Sequence, residues 1–296
     1  MKKKVLPIIF YLLLSSTLLV GCNVKFGINS RRDINENPGF NVNSIFKNNL
    51  SINSINNNLN NNVNTPLYDE NINDSISMDG IKTVNISILA SNVTIKSIDG
   101  KAFTLLCSGP SSIVKSTTFE KKGTNLNIQE NGSMSNLDVN NLPTSYGRKV
   151  IIGIPKSFMD DIIVNSNAGT ITIDSITSNN LDINGGVGSL TINDAIFKDL
   201  KLKQVIGTTN ISLKNKCGNM NISGLLGEVV INLSEIGGNL SYSGGCGKTT
   251  INIPNNSPVK VNTNANIGNA NVNVRTSGED TYIFDLNIEI GDLTVN

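Results

Sequence analysis

The first residue whose type and setting could carry chemistry is Cys22. It closes an apolar run, Val5 to Val20, that begins directly after three lysines at positions 2–4. A basic start, a short apolar stretch and a small residue before a cleavage point are typical of a secretory signal peptide. A transmembrane helix is the alternative, but this run contains Pro7 and falls short of the ~20 residues that spanning requires.

The residues Leu19-Val20-Gly21-Cys22 resemble the lipobox of bacterial lipoproteins. In such a motif the cysteine thiol forms a thioether with a diacylglyceryl group, and the signal is cut just before the cysteine. Gly21 lets a peptidase approach the backbone closely. We therefore expect residues 1–21 to be removed and Cys22 to carry lipid. That lipid would anchor the chain to the extracytoplasmic face of the cell membrane, and two acyl chains would hold it stably.

The remaining residue types exclude several classes of function. There is no histidine, which rules out Ser-His-Asp and Cys-His sites and His-ligated zinc. Loss of residues 1–21 leaves 21 basic and 23 acidic side chains, a balance too weak for nucleic-acid binding. Cys107, Cys217 and Cys246 are an odd number, so they do not make a disulfide framework. One bridge stays open as an alternative to buried free thiols. No metal site and no cofactor is predicted.

A polysaccharide-active enzyme would need two carboxylates about 5–10 Å apart in one groove. Asp160 and Asp161 are adjacent, but neighbours along a strand face opposite sides. The other candidates stand at different positions of the repeat described below: Asp174, Asp182, Asp194, Asp199 and Asp285. We therefore predict no catalytic residues and no enzyme.

The elements that carry these residues differ along the chain. Residues 22–79 are rich in asparagine and serine with isolated apolar residues, which predicts a disordered tether of roughly 40 Å span. From Ile81 onwards, short segments alternate apolar and polar residues and are bounded by turn formers. Period-two alternation indicates strands, so residues 80–296 are predicted to be a single all-β domain.

A repeat of about 20 residues runs through residues 156–296. It is marked by a glycine in each copy: Gly169, Gly188, Gly207, Gly227, Gly247, Gly268 and Gly291. Seven residues before each glycine the side chain is always apolar. Four residues after it stands a β-branched aliphatic: Ile173, Ile192, Ile211, Ile231, Ile251, Val272 and Val295. Asn, Thr and other polar residues fill the alternate positions.

Each copy is expected to hold two short strands, with a turn near a glycine that takes a positive φ. Such short units cannot bury an apolar face alone, so we predict that they stack as coils of a β-solenoid. Seven coils ~4.8 Å apart make a column about 30 Å long. The Asn and Thr columns would form hydrogen-bonded ladders on its outside. The less regular residues 81–155 are expected to cap the first coil and to add strands of the same kind.

Two stretches resemble the DUF4097 family. They are Val150-Ile151-Ile152-Gly153-Ile154-Pro155 and the run from Ile162 through Gly169 to Ile173, and Ile290-Gly291-Asp292 fits the same pattern. An aspartate follows the glycine only at Asp292, where the family pattern has it more often. The resemblance covers about residues 80–296. It implies a cell-surface β-solenoid, often labelled an adhesin and sometimes linked to envelope stress, without established catalytic residues.

These features together predict a lipid-anchored, non-catalytic binding or scaffold module of the cell surface. Its outward columns would meet cell-wall glycan or an envelope protein, and no nucleic acid. One alternative is an accessory protein of envelope-stress sensing that binds a membrane partner. The second alternative is a polysaccharide-active β-helix enzyme.

Overall fold

A computed structural model describes residues 69–110, 114–131, 148–224 and 226–296. They belong to one compact unit, Asn64–Asn296. Gly21 and Cys22 lie outside the described residues, as do the predicted signal peptide and the predicted tether up to residue 68. No helix in the described part of the chain is long and apolar enough to cross a membrane.

Every named element in the described ranges is a β-strand, which confirms the all-β prediction. The strands are β1 (Asp69–Ser77), β2 (Thr83–Ile98), β3 (Ala102–Pro110), β4 (Thr117–Lys122), β5 (Asn125–Glu130), β6 (Lys149–Pro155), β7 (Asp161–Asp174), β8 (Thr177–Asn193), β9 (Ile196–Leu213), β10 (Asn219–Ser223), β11 (Leu226–Leu233), β12 (Leu240–Asn252), β13 (Val259–Val272) and β14 (Tyr282–Val295).

The repeats stack as parallel strands in register, so the predicted β-solenoid is confirmed. Gly169 pairs with Gly188, Gly188 pairs with Gly207, and both Gly207 and Gly247 pair with Gly227. The column starts one coil earlier than the sequence repeat, because β2 pairs with β7 and places Ser91 opposite Gly169. Like residues pile up inside, and the aliphatic columns are almost fully buried.

Most coils are one long strand, whereas the sequence analysis expected two short strands separated by a turn. β8 runs through Gly188 and β9 runs through Gly207 as continuous strands, although their pairing skips the position of Gly186. The glycines do have the expected positive φ, for example 120° at Gly169 and 148° at Gly188. These coils turn at the same register position, because the pairing skips one residue two positions before the glycine and resumes directly afterwards.

The last two repeats stack in reverse order, which differs from the sequential stacking expected from the repeat. β14 lies between β12 and β13, so β13 is the outermost strand. Side-chain size explains the exchange. The inward residues of β14 include Phe284, Leu286 and Ile288, which are all buried. The corresponding residues of β13 are Val261, Thr263 and Ala265. Because these side chains are smaller, leaving them half exposed sacrifices less hydrophobic free energy.

The opposite end of the column is capped, as predicted for the less regular segment, but the cap is largely antiparallel. β6, β3 and β1 continue the sheet from the second half of β2, and the β4–β5 hairpin covers its first half. The predicted extent of the tether is wrong at its end, because β1 lies within residues 22–79 and pairs with β3. Only Ile72 and Ile76 of β1 pack against the core, which is too few apolar residues for alternation to show.

Candidate functional site

The described cysteines do not form a reactive cluster. Cys107 and Cys217 are buried, and Cys246 is partly exposed. Burial raises the pKa of the Cys107 and Cys217 thiols, which keeps them neutral and unreactive. The Cys217 thiol also donates a hydrogen bond to the carbonyl of Ala195 at 3.0 Å. These two residues therefore act as small core side chains.

The carboxylates considered for catalysis have polar partners in their own or a neighbouring coil instead of converging on a groove. Asp160 forms an ion pair with Lys82 at 3.2 Å, and Asp161 accepts a hydrogen bond from the Asn180 amide at 2.7 Å. The later aspartates have similar partners: Asp182 with Asn184, Asp194 with Lys214, Asp199 with Asn219 and Asp285 with Asn262. Asp174 accepts from the Ser175 hydroxyl. Among the described residues no group of His, Cys, Asp or Glu could hold a metal ion.

The predicted outer ladders are present, and one of them crosses five coils. It occupies the position five residues after each glycine. Asn273 donates to Asn296 at 3.0 Å, and Asn296 donates to Asn252 at 3.1 Å. Asn252 donates in turn to Asn232 at 2.7 Å, and Asn232 donates to the Ser212 hydroxyl at 3.2 Å. Every amide points the same way, so the ladder leaves the carbonyl of Asn273 facing the β13 end.

A stripe of apolar side chains lies on the outer corner of the column, directly before the glycines. We call it the corner ridge, and in stacking order it consists of Ala168, Val187, Ile206, Leu226, Cys246, Ile290 and Ile267. Val187, Ile206 and Ile267 are 54%, 45% and 64% exposed. Seven coils ~4.8 Å apart give the ridge a length of about 30 Å.

The sequence analysis missed the corner ridge although the signal was present. The residue before the glycine is apolar in all seven repeats. Alternation from the apolar positions seven and five residues before the glycine would place that residue among the buried ones, which is why it drew no attention. It faces outward at the bend, where inward and outward positions change over.

Polar side chains flank the corner ridge on both sides. The column directly after the glycines includes Thr170 and Ser189, whose hydroxyls are hydrogen-bonded at 3.2 Å. On the other flank, Asn266 donates to Glu289 at 2.6 Å. An exposed apolar stripe with a polar rim is typical of a surface that contacts another molecule.

A second polar group lies inside the cap, where the glycine column stops. Ser91 takes the place of a glycine, and its hydroxyl donates to the Glu130 carboxylate. The other Glu130 oxygen accepts from the Leu89 N–H at 2.9 Å, and Arg148 is also buried. Glu130 ends β5 and Arg148 directly precedes β6, and these strands pair with the first and second halves of β2, so Glu130 lies beside Ser91 at the junction between them. This arrangement closes the column and exposes no reactive group.

Comparison with known proteins finds one matching family and several solved structures of similar fold. Residues 81–296, from just before β2 to the end of β14, match the family described as Toastrack DUF4097. A protein from Clostridium sporogenes described as a putative cell adhesion protein is 16% identical, with 77% of this chain and 98% of that chain covered and a TM-score of 0.35. A putative adhesin from Bacteroides fragilis is 14% identical, with 77% and 97% covered and a TM-score of 0.40. A "putative lipid binding protein" from Parabacteroides distasonis is 15% identical, with 76% and 96% covered and a TM-score of 0.34. The search of curated proteins finds no match.

Proposed function

Because the chain belongs to the DUF4097 (Toastrack) family, we propose that it is a non-catalytic, adhesin-like binding module, held at the cell surface by lipid on Cys22. The observation that carries the binding role is the corner ridge, with its exposed Val187, Ile206 and Ile267. The carboxylates considered for catalysis are hydrogen-bonded or ion-paired within the fold and two of the described thiols are buried, which supports a role without catalysis.

The chemistry of the corner ridge favours an envelope protein over cell-wall glycan as the partner. Covering Val187 and Ile206 with apolar side chains would gain roughly 25 cal/mol for each Å² removed from water. A glycan would be held mainly through hydroxyl groups and would prefer the Asn and Thr columns on the flat faces. The polar rim would add hydrogen bonds around either partner and fix its position along the column.

The corner ridge can be tested by placing two negative charges on adjacent coils. We expect Val187→Glu combined with Ile206→Glu to abolish photo-crosslinking of the lipoprotein to its envelope partner in cells, because the glutamates would have to be desolvated. The matched control is Thr191→Glu with Asn210→Glu, which adds the same charge to the same two coils three residues after the glycine. Both pairs should leave the melting temperature close to that of the wild type.

An unchanged crosslink in the ridge variant, together with retention of the chain on purified glycan, would contradict this choice of surface. Recovery of a membrane kinase or an anti-sigma factor as the partner would favour the envelope-stress alternative.

The anchor has its own test. We expect Cys22→Ala to remove incorporation of labelled fatty acid and to leave the signal peptide uncut, because no other residue offers the thiol in that motif. Cys246→Ala is the control, since it removes a thiol from the folded unit and should incorporate label normally. Label retained in the Cys22→Ala chain would refute lipidation at this position.

A further inference from the structure

The outer edge of β13 is an unusual sheet edge. In the described sheet it pairs with β14 on one side and with no strand on the other. The other described edge strands carry charges, with Asp74 on β1 and Glu120, Lys121 and Lys122 on β4. Charges on an edge strand discourage pairing with another chain. Between Lys260 and Arg275, β13 and its extension contain no charged residue.

The sequence of this edge is almost symmetric about its bend. Counting outward from the boundary between Ile267 and Gly268, residues on the two arms match each other in type. The pairs are Asn266 with Asn269, Ala265 with Ala270, Asn264 with Asn271, Thr263 with Val272, Asn262 with Asn273, and Val261 with Val274. Thr and Val have the same shape, so the central Ile267–Gly268 pair is the only one of unlike size.

This symmetry is what a two-fold axis needs. In an antiparallel pair of identical strands, each residue of one copy faces its counterpart in the other. Gly268 has a φ of 126° and sets the bend. A two-fold axis along the bisector of that bend places the first arm of one copy against the second arm of the other. The residues on the inner side of the bend stay on the inner side in both copies. Val261, Thr263 and Ala265 then face Val274, Val272 and Ala270 of the second copy on the inner side, and asparagine faces asparagine on the outer side.

The match is not a general property of the coils. Applied to the Gly247 coil, the same counting pairs Tyr242 with Ile251 and Gly245 with Lys248. Those pairs differ in size or polarity, and this coil is internal. The symmetric sequence occurs at the open end of the column, where pairing with another chain can happen.

Between Val261 and Val274, electrostatics also suit a second copy, whereas the next pair outward, Lys260 with Arg275, is of like charge and marks the limit of the pairing. The carboxylates of β14 are covered by amides of β13: Asn262 donates to Asp285 at 2.6 Å, Asn266 to Glu289 at 2.6 Å and Asn269 to Asp292 at 3.0 Å. Two β13 edges can therefore meet without bringing acids together. Val272, which is 43% exposed, lies on the inner side that the pairing would cover.

We propose that the protein forms an end-to-end homodimer in which β13 pairs antiparallel with β13 of a second copy, across a two-fold axis between Ile267 and Gly268. Head-to-tail growth is blocked because the other end of the column is closed by the antiparallel strands β1, β3 and β4. The assembly therefore stops at two copies, and the corner ridges of both join into one stripe.

Charge substitutions at the interface test the pairing and its register. Asn264 and Asn271 are exposed, and their neighbours in β14 are the uncharged Asn287 and Thr294. In the double variant Asn264→Lys with Asn271→Lys, the lysine at position 264 of each copy faces the lysine at position 271 of the other copy. We expect it to raise the dissociation constant at least roughly tenfold. Asn264→Lys with Asn271→Glu sets each lysine against a glutamate of the other copy and should restore the dimer.

The measurement is sedimentation of the full chain in detergent, with the protein mass separated from the bound detergent. Two chains per particle for the wild type and the Lys/Glu variant, and one for the Lys/Lys variant, would support the proposal. A single chain for the wild type, or two chains for the Lys/Lys variant, would overturn it. Equal melting temperatures of the variants would show that the coil itself is intact.

A disulfide gives an independent test of the same register. Asn264→Cys with Asn271→Cys places two cysteines directly opposite each other across the axis, and oxidation should give a covalent dimer. Asn264→Cys with Asn269→Cys is the control, since its cysteines would be offset by two residues. A dimer that forms in the control and not in the first pair would overturn the register. A crosslink to a protein of another size would overturn the homodimer.

Discussion

At the residue scale, the glycine column is required because a backbone oxygen of the neighbouring coil leaves no room for a Cβ atom. The carbonyl oxygen of each glycine points at the next glycine, so a Cβ on Gly188, Gly227 or Gly247 would lie 1.8 Å from that oxygen. Positive φ alone would favour glycine at these positions. The backbone contact makes it obligatory, because the obstructing atom belongs to a neighbouring coil that is fixed by its own hydrogen bonds.

We therefore predict that Gly227→Ala lowers the free energy of unfolding by about 3–5 kcal/mol. Gly278→Ala is the matched control. Gly278 also has a positive φ, of 83°, but nothing lies within 4 Å of its added Cβ. Backbone strain alone should cost about 1 kcal/mol there. Urea unfolding of both variants measures the difference, and equal losses would show that the carbonyl contact is unimportant.

The buried Tyr242 gives a pH-dependent prediction. Its hydroxyl is 2.7 Å from the Thr249 hydroxyl, and burial raises the pKa of Tyr242. The folded protein therefore keeps the phenol neutral, while the unfolded chain ionises it near its usual pKa of about 10. Stability is lost as the pH rises through that range, because ionisation then favours the unfolded chain.

Tyr242→Phe should lower the free energy of unfolding by about 1 kcal/mol at pH 7, because the Thr249 hydroxyl loses its partner. The deficit should narrow above pH 10, where only the wild type suffers from phenol ionisation. Adding Thr249→Val should recover most of the loss at pH 7. Thermal unfolding from pH 7 to pH 11 checks this, and a constant deficit across that range would disprove the account.

At the scale of elements, the exchange of β13 and β14 sorts the coils by size. Phe284 and Val261 occupy the same register position in adjacent strands, yet Phe284 is buried and Val261 is only partly buried. The column thus ends in small side chains and asparagines, while the bulky apolar residues of β14 are covered on both sides.

This sorting predicts unequal costs for equivalent truncations. Phe284→Ala should lower the free energy of unfolding by about 3–5 kcal/mol. Val261→Ala should cost about 1 kcal/mol or less, because less apolar area is lost. Urea unfolding at one fixed protein concentration measures both. If the two costs were equal, β13 would be packed as an internal strand.

Much of this architecture could be predicted from the sequence, and the exceptions have physical reasons. The period of the glycines and of the buried aliphatics predicts parallel stacking, because like residues must meet in every coil. The order of β13 and β14 could not be predicted, because both strands fit the same repeat and only the difference between Phe284 and Val261 separates them. The exposure of the corner ridge was not predicted, because a bend interrupts the strict alternation of inward and outward residues at Val187 and Ile206.

For the whole molecule, the two ends of the column have opposite roles. The capped end carries β1 and therefore receives the chain from the predicted tether, while the β13 end is open. In the proposed dimer the two capped ends point away from each other.

Limited proteolysis tests the predicted division of the chain. Trypsin should cut first after Lys25, Arg31, Arg32 and Lys47, which lie in the predicted tether. Lys201 and Lys203 are exposed but belong to β9, which is paired on both sides and cannot enter a protease cleft. Mass spectrometry should find a stable fragment that begins at Asn48. Early cleavage after Lys201 would contradict the stability of the column.

The position of β14 also constrains the order in which the molecule is made. Coils from β7 to β12 can be added one after another as the chain emerges, each docking on the coil before it. β13 emerges next but has no place to dock, because its only partner in the described sheet is β14, which follows it in the chain. The end of the column therefore closes in one late step, in which two strands settle together. Until then the asparagine-rich β13, whose only charge is Lys260, is unpaired, and the growing protein is then most exposed to mispairing.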